Sequence, residues 1–383
     1  PVLREEIYKM INWWLDKGIA GFRIDAIINI KKDLEWRSLP SDRDNGLVPV
    51  PESLVNAQPI EPFLRELKER TFAKYNAFTV GEVFNETDEE LHFFIGKDGV
   101  FSSIFDFKQT MLGQEGKGWF DHALPTADEL KESIFQAHER ADSIGVLSTI
   151  IENHDEPRGV SHYIAEGPVN DTSKKALGTI QILRKGIPFI YQGQEIGMEN
   201  QVFESVEDFD DIATINGYHV AKEAGLSEEE ALAAIAKYSR DNARTPMQWS
   251  AEPGLGFSDG SAWLISPKPD VAINVEDQEK DPNSILNYYR QLTALYRHPL
   301  YGNTIRFGDM IPAYRDRENI IAFERRGDKR LLVISNFQNR EATLELPTPI
   351  KTVVLNNTAG LFQEGEQVLE LVPYQTVVLE LVE

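Results

Sequence analysis

Apolar residues stand at Ile7, Met10, Ile11, Trp14 and Leu15, the i, i+3, i+4, i+7, i+8 spacing of one helical face, and Gly18 closes the run. The pattern predicts an amphipathic helix over residues 4 to 17, with a short strand in GFRIDAI directly after it. That order repeats. A helical PFLRELKERTFAKY leads into AFTVGEV, residues 128 to 142 lead into VLSTIIENHD, and SKKALGTIQILRKG leads into IPFIYQGQE. Helices alternating with short apolar strands predict a parallel sheet with helices outside it. After about Tyr301 the period changes to IIAFER, RLLVISNF, ATLELP, TVVLN, QVLELV and TVVLELVE, short runs broken by Gly, Pro and Asn. These predict a small antiparallel β-sandwich. The expected domains are therefore residues 1–300 and 301–383, with the boundary near His298 to Asn303.

Two segments, residues 33 to 53 and Glu199 to Pro253, are too long to be simple connections, and loops of that length tend to carry function. The second contains a helical piece, SEEEALAAIAKYSR, where Ser227 and Glu230 have the spacing of a capping box.

Charge narrows the choice of partners. The 383 residues hold 39 basic and 62 acidic side chains, a net charge of −23, which argues against nucleic acid or an anionic membrane as a partner and favours a neutral ligand such as a sugar. There are no cysteines, so thiolate metal sites and disulfides are excluded. No secretory signal or apolar run of spanning length is seen, which predicts a soluble, cytoplasmic chain.

Four carboxylates follow strand-like runs: Asp25 in GFRIDAI, Glu82 in FTVGEV, Asp155 in IIENHDEPR and Glu195 in IPFIYQGQE. An acid at the mouth of a buried strand is costly unless solvated or paired, so several together imply a shared polar pocket. By the strand period of two, Gly21, Arg23 and Asp25 share one face. The small Gly21 is expected to leave room inside, and Arg23 to keep Asp25 ionised; a purely structural Arg–Asp pair is the alternative. Glu82 has few basic neighbours in sequence, which predicts a raised pKa suited to a general acid. His154 beside Asp155 places a donor next to an acceptor, although a lone histidine is more often structural.

In this order the motifs resemble the α-amylase superfamily of glycoside hydrolases. GFRIDAI looks like its fourth-strand motif, VGEV its fifth, IIENHD its seventh and GIPFIYQGQEIGM its eighth. The resemblance implies an α/β fold, the C-terminal part of a TIM (β/α)8 barrel from strands 4 to 8, followed by the antiparallel β-sandwich. SRDNARTPMQWS, with Gly256, Phe257 and Trp263 beyond it, looks like the oligo-1,6-glucosidase and α-glucosidase group. That likeness implies a retaining, exo-acting enzyme with Asp25 as nucleophile, Glu82 as acid/base and Asp155 as transition-state stabiliser. Arg23, His154 and Arg240 would contact hydroxyls of the terminal glucose of an oligosaccharide, and Arg244 is a weaker candidate beside a structural salt bridge. Ala26, where α-1,6-specific members tend to have Val, resembles members that accept α-1,4 bonds, and GEVFN departs from the GEMP-like version of the 1,6-specific group.

No calcium-type Asp-x-Asp-x-Asp-Gly loop is present, and NETDEE and SVEDFDD read as solvated surface, so neither metal nor cofactor is expected. Two other readings stand beside the glucosidase. One is a trehalose-6-phosphate hydrolase, for which Lys31 and Lys32 are the available basic pair; the other is a non-catalytic barrel relative or an incompetent fragment. Oligomeric state is left open.

Overall fold

The computed structural model describes the chain except residues 1, 31, 42–45, 49–51, 53–58, 85, 115, 265–272, 361 and 383. Lys31, Asn85 of GEVFN and much of the 33 to 53 segment therefore lie outside the described residues. The chain divides into two units: Pro1–Asp106 with Glu139–Ser148, and Phe107–His138 with Thr149–Glu383.

In the first unit, α1 (Val2–Asp16) leads to β1 (Gly21–Ile24), α2 (Glu61–Arg70) to β2 (Phe78–Gly81), and α3 (Asp88–Ile95) to β3 (Ser103–Phe105). The end of α4 (Ala127–Ala141) precedes β4 (Leu147–Thr149). β1 to β4 pair in parallel and in chain order, with Gly21 opposite Phe78, Val80 opposite Ser103 and Ile104 opposite Leu147. Leu64, Leu91, Phe94, Phe101 and Ile104 pack into one core against the sheet. The apolar stripe expected on α1 is only half used: Tyr8, Ile11 and Leu15 are buried, while Ile7, Met10 and Trp14 are exposed. Gly21 does not leave room inside. A Cβ there would collide with the Phe78 carbonyl oxygen of the neighbouring strand, so this glycine serves the close approach of β1 and β2.

The second unit continues from the end of β4, where Thr149 accepts a hydrogen bond from Phe189 N just beyond β5 (Ile187–Pro188). α5 (Asp171–Leu183) precedes β5, and α6 (Ile212–Glu223) and α7 (Glu228–Tyr238) lie in the long excursion after it. The Ser227 and Glu230 capping box forms as expected. α8 (Ile285–Leu295) then leads towards the C-terminal strands.

Those strands are β6 (Asp309–Ala313), β7 (Ile320–Arg326), β8 (Arg330–Asn336), β9 (Ala342–Glu345), β10 (Ile350–Asn356), β11 (Val368–Leu371) and β12 (Thr376–Leu381). They form an antiparallel five-stranded sheet in the order β10-β12-β8-β7-β6, and β9 pairs with β11. The near-continuous apolar runs of β7, β8 and β12 have a physical cause, since both faces of the larger sheet are covered. Ile320, Ala322, Leu332, Ile334, Val377 and Leu379 face Leu344 and Leu369 of the smaller sheet. The alternate residues Ile321, Phe323, Leu331, Val333 and Val378 join the core of Phe135, Leu177, Ile180 and Leu292 from α4, α5 and α8.

Candidate functional site

β1 and β2 end in register, with Ile24 opposite Gly81, so the next residues, Asp25 and Glu82, emerge side by side. A short turn follows β1, and in it Ala26 adopts a φ of 38°. This turns its N–H onto Glu82, where it donates to Oε2 at 2.7 Å. Arg23 donates from Nη1 to Asp25 and reaches Glu82 Oε2 with Nη2 at 2.8 Å. The two acids differ sharply in solvation. The Asp25 side chain is 74% exposed and that of Glu82 7%. Burial, the largest influence, raises the Glu82 pKa above the usual carboxylate range; Ala26 N and Arg23 oppose the rise, and the hydrogen-bonding Asp25 carboxyl adds to it. One guanidinium thus holds two adjacent carboxyls of which the buried one is inclined to keep its proton.

The second unit brings together His154, Asp155, Arg240 and Arg244. Asp155 Oδ2 lies 3.2 Å from His154 Nε2, and its Oδ1 lies 3.4 Å from Arg240 Nη1 and 3.0 Å from Arg244 Nη2. Arg244 Nε also donates to the His154 carbonyl at 2.9 Å. Asp155 does not end a strand. It stands in a turn several residues beyond β4, closed by the buried pair of Glu152 and Arg158 at 3.0 Å and by Gly159 N donating to Glu152 at 2.6 Å. Asp155 N donates to Asn153 Oδ1 at 2.7 Å, which sets the turn itself. Next to it, Glu156 is pushed up to about 7 by burial and by the charge of Asp155. A carboxylate backed by two arginines and a histidine can order hydroxyls and answer positive charge.

Residues 1–300 match the family described as Alpha amylase, catalytic domain, and residues 320–378 match the Alpha-amylase SusG C-terminal domain. The chain belongs to the α-amylase family. It is 39% identical over 297 residues to the probable oligo-1,6-glucosidase 3 of Bacillus subtilis, covering 76% of this chain and 52% of that relative. Among solved structures it is similar to the isomaltulose synthase of Klebsiella sp. LX3, with a TM-score of 0.90 and 27% identity. It is also similar to the trehalose-6-phosphate hydrolase of Bacillus licheniformis, with a TM-score of 0.87 and 31% identity. Each match covers all of this chain and 69% of the other. The chain therefore spans about half the length of the first of these relatives.

Against this α-amylase-family background several residues change standing. Glu195 does not end a strand either; it lies in a short 3-10 turn, where its carboxylate accepts from Gly193 N at 2.8 Å. Arg244, the weaker candidate, is bound to both His154 and Asp155. SVEDFDD is not all solvated surface, because Asp211 is buried and faces both arginines. In NETDEE, Thr87 caps α3, and Glu86 pairs with Arg140 at 2.8 Å. Lys32 donates to the Asn29 carbonyl. Arg23 serves Glu82 as well as Asp25, a partnership that only the β1–β2 register could have revealed. Among the described residues no helix is long and apolar enough to cross a membrane.

Proposed function

We propose that the whole protein is a retaining, exo-acting α-glucosidase that releases glucose from the non-reducing end of short α-1,4- or α-1,6-linked oligosaccharides. On this reading residues 1–300 carry strands 4 to 8 of a (β/α)8 barrel and residues 301–383 the β-sandwich. Asp25 attacks the anomeric carbon, and Glu82 protonates the leaving oxygen, then activates the water that hydrolyses the glycosyl intermediate. Asp155, with His154 and Arg240, holds ring hydroxyls as positive charge develops, and Arg23 orients both acids. Ala26 borders the leaving group.

The observation that carries the reading is the contrast within the first cluster: a desolvated carboxyl with a raised pKa beside a solvated one, both on Arg23. Environments that push two acids apart are how an acid and a nucleophile are set at one pH. In the full-length protein, Asp25→Ala should abolish turnover and regain part of it with azide, giving product of inverted configuration. Glu82→Ala should still release nitrophenol from 4-nitrophenyl α-glucoside in an initial burst, since that leaving group needs no proton, with turnover then slowed at hydrolysis of the glycosyl intermediate, and it should lose activity on maltose or isomaltose. The reverse pattern would exchange the two roles.

A further inference from the structure

We infer that Asp211, locked in place by Asp241, is a positioning residue that anchors the two arginines gripping Asp155. The inference rests on the proposed role of Asp155, but its geometry stands within the second unit alone. Arg240 and Arg244 approach Asp155 from one side. On their other side, Asp211 Oδ1 lies 3.9 Å from Arg240 Nε and 3.9 Å from Arg244 Nη1. Asp211 is buried. Its second oxygen is occupied, accepting from Thr214 N at 2.9 Å and Thr214 Oγ1 at 2.8 Å where α6 begins.

Asp241 fixes this arrangement from behind. It is fully buried, and its Oδ2 accepts from the backbone N–H groups of Asp210 at 2.8 Å and Asp211 at 3.0 Å. Its Oδ1 has no hydrogen bond among the described residues and lies 4.0 Å from Arg244 Nη1. Two cations are thus held between one partly exposed carboxylate and two buried ones.

The charges explain why such a backing is useful. Facing Asp155 alone, two guanidiniums would compete with any sugar hydroxyl for its lone pairs and would be free to follow it as substrate enters. Buried counter-charges share the arginines' attraction and keep them stationary, and at low local dielectric such a pull acts without direct hydrogen bonds. The distances of 3.9 Å are those of ion pairs rather than of hydrogen bonds, so the constraint is one of charge.

The competing explanation is that Asp211 merely caps α6. Asn caps a helix as well as Asp does and has the same shape without the charge, so Asp211→Asn separates the two. In the full-length protein three quantities are measured for the wild type, Asp211→Asn and Asp211→Ala: the unfolding temperature, the exchange rates of the Arg240 and Arg244 Nε protons by NMR, and kcat and KM for 4-nitrophenyl α-glucoside. Asp211→Asn should unfold close to the wild-type temperature, yet its arginine protons should exchange roughly ten-fold faster. Its kcat should fall roughly ten- to hundred-fold with a much smaller change in KM. Asp211→Ala should show the same losses and a lower unfolding temperature. Unchanged arginine exchange in Asp211→Asn overturns the positioning role whatever the activity. Faster exchange in a protein whose wild type does not hydrolyse glucosides upholds the positioning role and sinks the glucosidase reading instead.

Discussion

Ala26 occupies a backbone conformation that L-residues seldom adopt, and this bears on how linkage preference can be tested. A β-branched residue at a φ of 38° is costlier still. Ala26→Val is therefore expected to lose roughly 1–2 kcal/mol of stability, seen as a lower unfolding temperature. If side-chain volume here selects the linkage, kcat/KM for maltose should also fall about ten-fold while that for isomaltose changes far less. Ala26→Gly, which relieves the strain and adds no volume, should leave the ratio between the two substrates unchanged. His162 is a second residue with a measurable signature. Burial, and to a lesser extent the charge of His122, depress its pKa to about 4, and neither ring nitrogen has a hydrogen bond among the described residues. Between pH 4 and 6.5 the unfolded chain takes up a proton here that the folded chain refuses, so stability falls as pH drops through that window, by up to roughly 3 kcal/mol. His162→Phe should flatten this part of the stability–pH curve in chemical denaturation; an equally steep curve would assign the loss to other groups.

At the scale of elements, Thr87 starts α3 through a capping box with Glu90. Thr87→Ala should cost about 1 kcal/mol, readable as faster amide exchange in the first turn of α3. Much of the element order was legible because helical and strand periods alternate clearly, and the two-faced burial of β7, β8 and β12 left apolar runs too long to miss. What escaped was short or atypical. β3 has only three residues, the first of them Ser103 with Ser102 before it and Asp106 after the strand, and too little length for any period to declare itself. β6 contains Pro312, which a strand tolerates at a sheet edge, the place it occupies. The candidate site divides in the same way. Asp25 and Glu82 could be found because each directly follows its strand. Asp211 could not, because its meaning depends on arginines brought to it from Asp241's helical turn, and a run of acids in sequence gives no sign of which one is buried.

Across the second unit, the C-terminal sheet is fastened to the preceding helices by more than apolar contact. Arg325 is completely buried and donates to the carbonyls of Leu183 and Gly308, each at 2.8 Å. Lys131 Nζ donates to the Arg317 carbonyl at 2.8 Å, and Asn357 Nδ2 to the Thr172 carbonyl at 2.9 Å. Truncation after residue 300 should accordingly expose the apolar faces of α4, α5 and α8 and yield a protein that binds a hydrophobic dye and is rapidly proteolysed. A well-folded 1–300 chain with a cooperative thermal transition would contradict this.

The same shared core sets an order of events during synthesis. α5 leaves the ribosome with its apolar face complete at Leu183, but the strand residues that cover that face, Phe323 and Val333 and finally Val378, are made much later. At ~5–20 residues per second the wait for the last of them is on the order of 10–40 s. For that interval the nascent chain displays a surface that only β12, made about two hundred residues later, can close, which makes that strand a deadline for the folding of α5.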